Sequence, residues 1–240
     1  MPDPAALAAR LADVRTRIAN AARRARRDPS SVHLIAVSKT FPVPAVRAAA
    51  AAGQIDFGEN KVQEGVSRIA ETSDLPLRWH LIGHLQSNKA KKAAATFDVI
   101  HSVDDSALLP LIGRGAGEAG RTVDILIQVD LAGEATKFGL RPSDVRPVLD
   151  SALALTGLRV VGLMTLPPAT PNPEGARAYF TALRRLRDKL LAAGVPASSL
   201  KELSMGMSHD FEVAIEEGAT LVRVGTAIFG DRPARPAPTA

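Results

Sequence analysis

The stretch Val32-His-Leu-Ile-Ala-Val-Ser-Lys-Thr-Phe41 decides how the fold is read. Val32, Leu34, Ile35, Ala36 and Val37 form an apolar run of strand length. A strand apolar on both faces belongs in a parallel sheet covered by helices. Ser38 and Lys39 break the run just before Pro42-Val43-Pro44, which starts the next element. A lysine at the C-terminal end of such a strand stands where α/β sheets place their chemistry. A solvated lysine closing a strand would read the same way, so the rest of the chain has to separate the two.

Upstream, Leu7, Leu11, Val14, Ile18 and Ala21 or Ala22 recur at helical spacing over residues 3–27. Asp28-Pro29 stops that helix, because proline disfavours the α region at the residue before it. Downstream, strands and helices alternate. Strands are read at 32–38, 55–58, 78–83, 98–103, 123–130, 158–166, 202–205 and 221–225. Helices are read at about 42–52, 59–71, 87–95, 142–155, 173–193 and 208–217. One more, capped by Asp104 or Asp105, fades into the glycine-rich 113–120 segment, read as a loop. Strands separated by helices imply parallel pairing with right-handed crossovers. Eight such units in 240 residues fit an α/β fold of the (β/α)8 TIM-barrel type, for which ~250 residues is typical, with an extra N-terminal helix. The rival is a doubly wound sheet, but no GxGxxG follows the first strand. The expected organisation is one barrel domain over 1–230, including the N-terminal helix over 1–28, and a disordered Pro-rich tail over 231–240.

The chain has no cysteine, which excludes disulfides and thiolate metal sites and fits a reducing compartment. The N-terminus lacks the charged-then-apolar order of a signal peptide, and no apolar stretch reaches the ~18 residues that span a bilayer. A cytoplasmic protein without a membrane segment is expected. The net charge of +5 comes largely from Arg10, Arg15, Arg17, Arg23, Arg24, Arg26 and Arg27 on the first helix, with Lys89, Lys91 and Lys92 further on. A basic helix can serve nucleic acid. These patches carry no aromatics and acids are nearly as numerous overall, so they read as solvated helix faces and no nucleic-acid partner is expected.

In a barrel, polar residues at the C-terminal strand ends face a common mouth. Here those ends supply Ser38 and Lys39; Glu59 and Asn60; His84; His101, Ser102 and Asp104; Lys137; Met164 and Thr165; Ser204, Gly206 and Ser208; Gly225 and Thr226. Singly, each has a plain account. His80, inside a strand, reads as a packing histidine, and Ser208 ahead of Asp210 and Glu212 reads as a helix N-cap. Jointly they do not. Ser204-Met-Gly-Met-Ser208 and Arg223-Val-Gly-Thr-Ala-Ile-Phe-Gly230 follow strands seven and eight, where barrels bind phosphate. A phosphate cradle opposite an imine-forming lysine is the equipment for pyridoxal phosphate. Lys61 or Arg223 nearby would keep that lysine neutral by like charge and desolvation. The five histidines show no HxH or HExxH spacing for a metal, and GxSxG and Walker A motifs are missing.

The ordered set Ala36-Val-Ser-Lys-Thr40, Phe57-Gly-Glu-Asn60, Trp79 to Lys89, His101-Ser-Val-Asp104, Lys137-Phe-Gly139, Gly162-Leu-Met-Thr165, Leu203 to Ser208 and Val222 to Gly230 resembles the YggS/PROSC family. These are pyridoxal phosphate homeostasis proteins, similar to the barrel domain of bacterial alanine racemase. The resemblance covers about residues 30–230. It implies that Lys39 holds pyridoxal 5′-phosphate as a Schiff base and that Ser204, Gly225 and Thr226, with Ser208 nearby, are phosphate ligands. It implies that Arg223 faces the pyridine nitrogen, keeping it unprotonated and weakening the ring as an electron sink. Asn60, His80 and Met164 would surround the ring. One departure is Lys61, where the family often has tyrosine; it would add charge at the mouth.

The implied function is binding and delivery of the cofactor to apo-enzymes in its homeostasis, without established turnover. Racemases of this fold use a second acid/base, usually a tyrosine from an added domain of a partner subunit. The only tyrosine here, Tyr179, falls in an expected outer helix. A monomeric single-barrel carrier is therefore expected, with a weak pyridoxal-phosphate-dependent racemase or lyase as the alternative.

Overall fold

In the computed structural model, which describes residues 3–133 and 138–230, helix α1 (Pro4–Arg24) precedes strand β1 (His33–Val37). Then come α2 (Val43–Ala51), β2 (Asp56–Glu59), α3 (Val62–Glu71), β3 (Arg78–Leu81), α4 (Ala90–Thr96) and β4 (Val99–Val103). They are followed by α5 (Leu108–Glu118), β5 (Val123–Gln128), α6 (Val145–Leu153), β6 (Leu158–Met164) and α7 (Arg177–Ala192). The series ends with β7 (Glu202–Met207), α8 (Phe211–Glu216), β8 (Leu221–Val224) and the single turn α9 (Thr226–Phe229). The strands are parallel and in sequence order, and β1 pairs with β8 as well as β2, so the sheet closes into the expected barrel. The tail at 231–240 and Lys137 lie outside the described residues. Among those residues no helix is long and apolar enough to cross a membrane.

Two layers of core follow from strand alternation. Outward side chains such as Leu34, Ala36, Phe57, Trp79 and Leu81 join the helices in one large buried cluster. Inward ones build a smaller cluster of Ile35, Val99, Leu126, Met164 and Leu221 inside the barrel. Helix α1 buries the expected stripe of Leu7, Leu11, Val14, Ile18, Ala21 and Ala22. Its arginines do more than face solvent. Arg10 donates to the Ile228 carbonyl at 2.7 Å and Arg15 to the carbonyls of Ala52 and Gly53. Arg17 pairs with Glu212 and lies over the Phe211 ring, and Arg24 pairs with Glu216. Arg27 donates to the Ile215 and Ala219 carbonyls at 2.8 Å each. The basic patch therefore fastens α1 across α2, α8 and α9, supplying donors to carbonyls that helix ends leave unsatisfied.

The glycine-rich 113–120 segment departs from its reading as a loop: α5 runs through it to Glu118. A Cβ at Gly113 would come 2.8 Å from the Thr156 carbonyl oxygen, and one at Gly115 would come 2.5 Å from that of Lys91. These glycines let α5 approach α4 and the turn before β6 closely, so packing overrides their poor helix propensity.

Substitution separates the two roles. Gly115→Ala should destabilise by about 1–3 kcal/mol through overpacking. Gly117→Ala, whose Cβ meets nothing within 4 Å, should stabilise by about 0.5–1 kcal/mol. Denaturant unfolding of both variants reads the opposite signs.

Candidate functional site

Alternation along β1 puts Ile35 and Val37 inside the barrel, and Lys39, two residues further, continues that face at the mouth. Closure against β8 sets Ile35 beside Arg223 and Ala36 beside Val224, so the segment after β8 lies next to the segment after β1. The result is a cavity of about 470 Å³ at the C-terminal ends of the strands. Lys39, Asn60, Ser208, Arg223, Gly225 and Thr226 line it together, with Val37, Ile82, Leu166, Met207 and His209.

Three other expected site residues do not reach this cavity. Ser204 pairs with Leu221, the first residue of β8, so it lies below Arg223; it is fully buried and bonded to His101 and Arg223. His80 pairs with Val99, the first residue of β4, and lines a second cavity at the opposite end of the barrel. Met164 is packed in the inner apolar cluster. Strand register, invisible in the motifs, sets these depths. Lys61 is 63% exposed, pairs with Glu64 at 2.7 Å and does not line the cavity.

The cradle is made of backbone amides and one hydroxyl. Ser208 Oγ accepts from the Gly225 amide at 3.1 Å and the Ala227 amide at 3.4 Å. Ser208 is thus not the N-cap of α8. That helix starts at Phe211, and the Asp210 carboxylate accepts from the Met207 amide instead. On the cavity floor Arg223 is 3% exposed, donating to Ser204 Oγ at 2.5 Å and to the Thr165 carbonyl at 3.0 Å. Burial pushes its guanidinium down to about 10, opposed by the Asp210 carboxylate. It stays cationic at neutral pH.

Behind Lys39 the turn is clamped. Ser38 donates its amide to the Gly58 carbonyl and its hydroxyl to Glu59 at 2.6 Å, while Arg68 donates to the Ser38 carbonyl at 2.7 Å. Arg68 and Glu59 lie 3.3 Å apart, with Glu59 fully buried. Thr40 adopts φ 72°, a left-handed conformation costly for a β-branched residue, and strain of this kind needs surrounding structure to hold it. Burial raises Glu59 above the usual carboxylate range, against the Ser38 bond and the charges of Arg68 and Lys39. Arg68 had no sequence signal as a site-supporting residue; it is one basic residue on a helix. Leu166, Met207 and His209 follow strand ends and were legible by position, though not by type.

The residues suit an aldehyde-bearing phosphate. An amine, a buried guanidinium, the Gly225 backbone and the hydroxyls of Ser208 and Thr226 converge on one cavity, with the Ala227 amide behind Ser208. Asn60 Oδ1 is buried there with no hydrogen-bond partner, an acceptor left for a ligand to satisfy.

Comparison with known proteins agrees. Residues 10–233 match the family of the alanine racemase N-terminal domain. The pyridoxal phosphate homeostasis protein of Aquifex aeolicus is 44% identical over 223 residues, spanning 93% of this chain and 97% of that protein. PipY of Synechococcus elongatus, solved with PLP bound, is 45% identical with a TM-score of 0.82, over 93% of this chain and 100% of that one. Alanine racemase from Streptomyces lavendulae shares the fold alone, at 22% identity and a TM-score of 0.70, over 97% of this chain and 58% of its own.

The clamp is testable through pH. Because Glu59 is raised in the folded chain, its contribution is full below the ordinary carboxylate value of about 4.3 and is lost as pH rises through the raised value. Arg68→Ala removes the cation that holds Glu59 down, so it should cost about 3 kcal/mol or more at pH 7 and less near pH 5. Adding Glu59→Gln should recover part of the loss at pH 7. Urea denaturation at both pH values checks the pattern, and a pH-independent loss would refute it.

Proposed function

The chain belongs to the pyridoxal phosphate homeostasis proteins, on the alanine racemase N-terminal domain fold, and we propose that it binds pyridoxal 5′-phosphate at the barrel mouth and holds it for delivery. The observation that carries this is the convergence of Lys39 with the Ser208, Gly225 and Ala227 cradle in one cavity. Lys39 is the amine that would hold the cofactor's aldehyde carbon as an imine, a covalent and reversible hold. Ser208, Thr226 and the Gly225 amide would hold the phosphate, with Arg223 toward the ring nitrogen and Asn60 beside the ring. Bound, the cofactor would supply an electron sink; an arginine at the nitrogen keeps that sink weak.

His80, Met164 and Ser204 support the pocket from below in this assignment instead of touching the cofactor. The proposal extends to a cytoplasmic monomer whose partners are apo-enzymes that accept the cofactor. A second reading, a weak racemase or lyase, rests on His209, which lines the cavity with Lys39 and could serve as a second base. Tyr179, the only tyrosine, lies on outer helix α7.

Purified protein mixed with the cofactor should develop an imine band near about 420 nm, lost on borohydride reduction and missing in Lys39→Ala. Ser208→Ala should weaken cofactor affinity about tenfold. A protein that stays colourless would overturn the assignment. Robust racemisation abolished by both Lys39→Ala and His209→Asn would replace the carrier with the enzyme.

A further inference from the structure

Arg223 on the cavity floor is the first member of a hydrogen-bonded row that crosses the barrel interior. Its Nη1 lies 2.5 Å from Ser204 Oγ, and Ser204 Oγ lies 2.9 Å from His101 Nδ1. His101 Nε2 lies 2.9 Å from His80 Nδ1, and His80 Nε2 lies 2.9 Å from Asp56 Oδ1. Arg223, Ser204, His101 and His80 are each at most 3% exposed. The row starts at the mouth cavity and ends at the cavity of about 480 Å³ around the N-terminal strand ends, which His80 lines. TIM-barrel interiors are ordinarily packed with branched aliphatic side chains, so a polar row through one calls for a reason.

One direction satisfies every member with both imidazoles neutral. Arginine has no acceptor, so Ser204 Oγ accepts from it and spends its single proton on His101 Nδ1. His101 then carries its proton on Nε2 and donates to His80 Nδ1, and His80 in turn donates from Nε2 to the Asp56 carboxylate. All four bonds form with both imidazoles neutral, running from a buried cation to a carboxylate. A second proton on His101 would make the Ser204 oxygen accept twice and send its own proton elsewhere. Burial pulls both imidazoles below their ordinary value, which agrees with this assignment. The charges that act on the pair are Asp56, Arg78, Asp98 and Arg223, with Asp124 and Glu202 lining the lower cavity.

We propose that Asp56, His80, His101 and Ser204 are positioning residues, a one-way hydrogen-bond relay that holds the Arg223 guanidinium against the ring of the bound cofactor. The proposal rests on the cavity being the pyridoxal phosphate site. The Arg223 side chain is held by two acceptors, Ser204 and the Thr165 carbonyl, and the relay fixes the first of them. With the relay intact, the ring meets only N–H donors of a fixed cation. With it cut, Arg223 can turn and the ring's own proton equilibrium moves.

The test uses cofactor-loaded full-length protein, reading the visible band, its pH midpoint and the cofactor dissociation constant. Ser204→Ala and His101→Leu should each move the pH midpoint by about one unit and weaken affinity about tenfold. His101→Gln, which keeps an acceptor and a donor, should stay near wild type. Leu126→Ala, equally buried in the inner apolar cluster and paired with no member of the row, should lower thermal stability without moving the band. Wild-type spectrum and midpoint in Ser204→Ala would overturn the relay while leaving the cavity assignment standing. So would an equal shift in Leu126→Ala, since general loosening would then explain it. Wild-type protein that takes up no cofactor would overturn both.

Discussion

Closure of β1 against β8 is the constraint on which the rest depends. One strand with partners on both sides has no free edge, and its inward side chains must share the interior with those of the last strand. That pairing places Lys39, from the first strand end, beside Gly225 and Thr226, from the last, which no local property of either segment requires. A lysine that would be solvated at the edge of an open sheet becomes part of a cavity wall. The short turn α9 is held in the same corner, where Phe41 stacks on Phe229 with ring centroids 5.1 Å apart.

Placing charge inside a barrel has consequences for the structure around it. Arg223 and Glu59 sit on opposite faces of the sheet, one in the interior and one beneath α3, and each has polar partners, although Glu59 Oε2 is left without one. A buried ion without partners costs several kcal/mol, so each draws residues that would otherwise be aliphatic into hydrogen-bonded roles. Around Glu59 these are Ser38 and Arg68, which fix the turn carrying Lys39. Around Arg223 they are Ser204 and His101, which take interior positions among the apolar side chains of Ile35, Val99, Leu126, Met164 and Leu221. Rigidity at the mouth is thus supplied from both faces of the sheet.

The outer shell follows a different rule. The arginines of α1, with Arg27 just past its end, meet helix-end carbonyls and glutamates of α8, joining the first helix to the last part of the chain. A strongly basic helix thereby becomes a fastening, in which each side chain lays an apolar stem on the surface and a donor head on a neighbour. At Gly113 and Gly115 the shell is tight enough that hydrogen is the only side chain admitted. A glycine cluster that resembles a loop in sequence is a helix because of what lies beside it.

By itself the sequence determined the number and order of the strands, since apolar runs separated by helical periodicity reflect burial that each segment carries locally. It also determined that Lys39 ends the first strand and that small residues follow the seventh and eighth. Depth was not determined. Ser204 and Ser208 are equivalent as letters in Ser204-Met-Gly-Met-Ser208, yet strand register puts one under the floor and the other in the cradle. Lys61 adjoins Asn60 but pairs with Glu64 outside the cavity lining, and Arg68 reaches Ser38 from a helix that gives no hint of it. Only tertiary structure decided these, because a side chain's level in a barrel depends on the stagger between strands far apart in sequence, and no local pattern records that stagger.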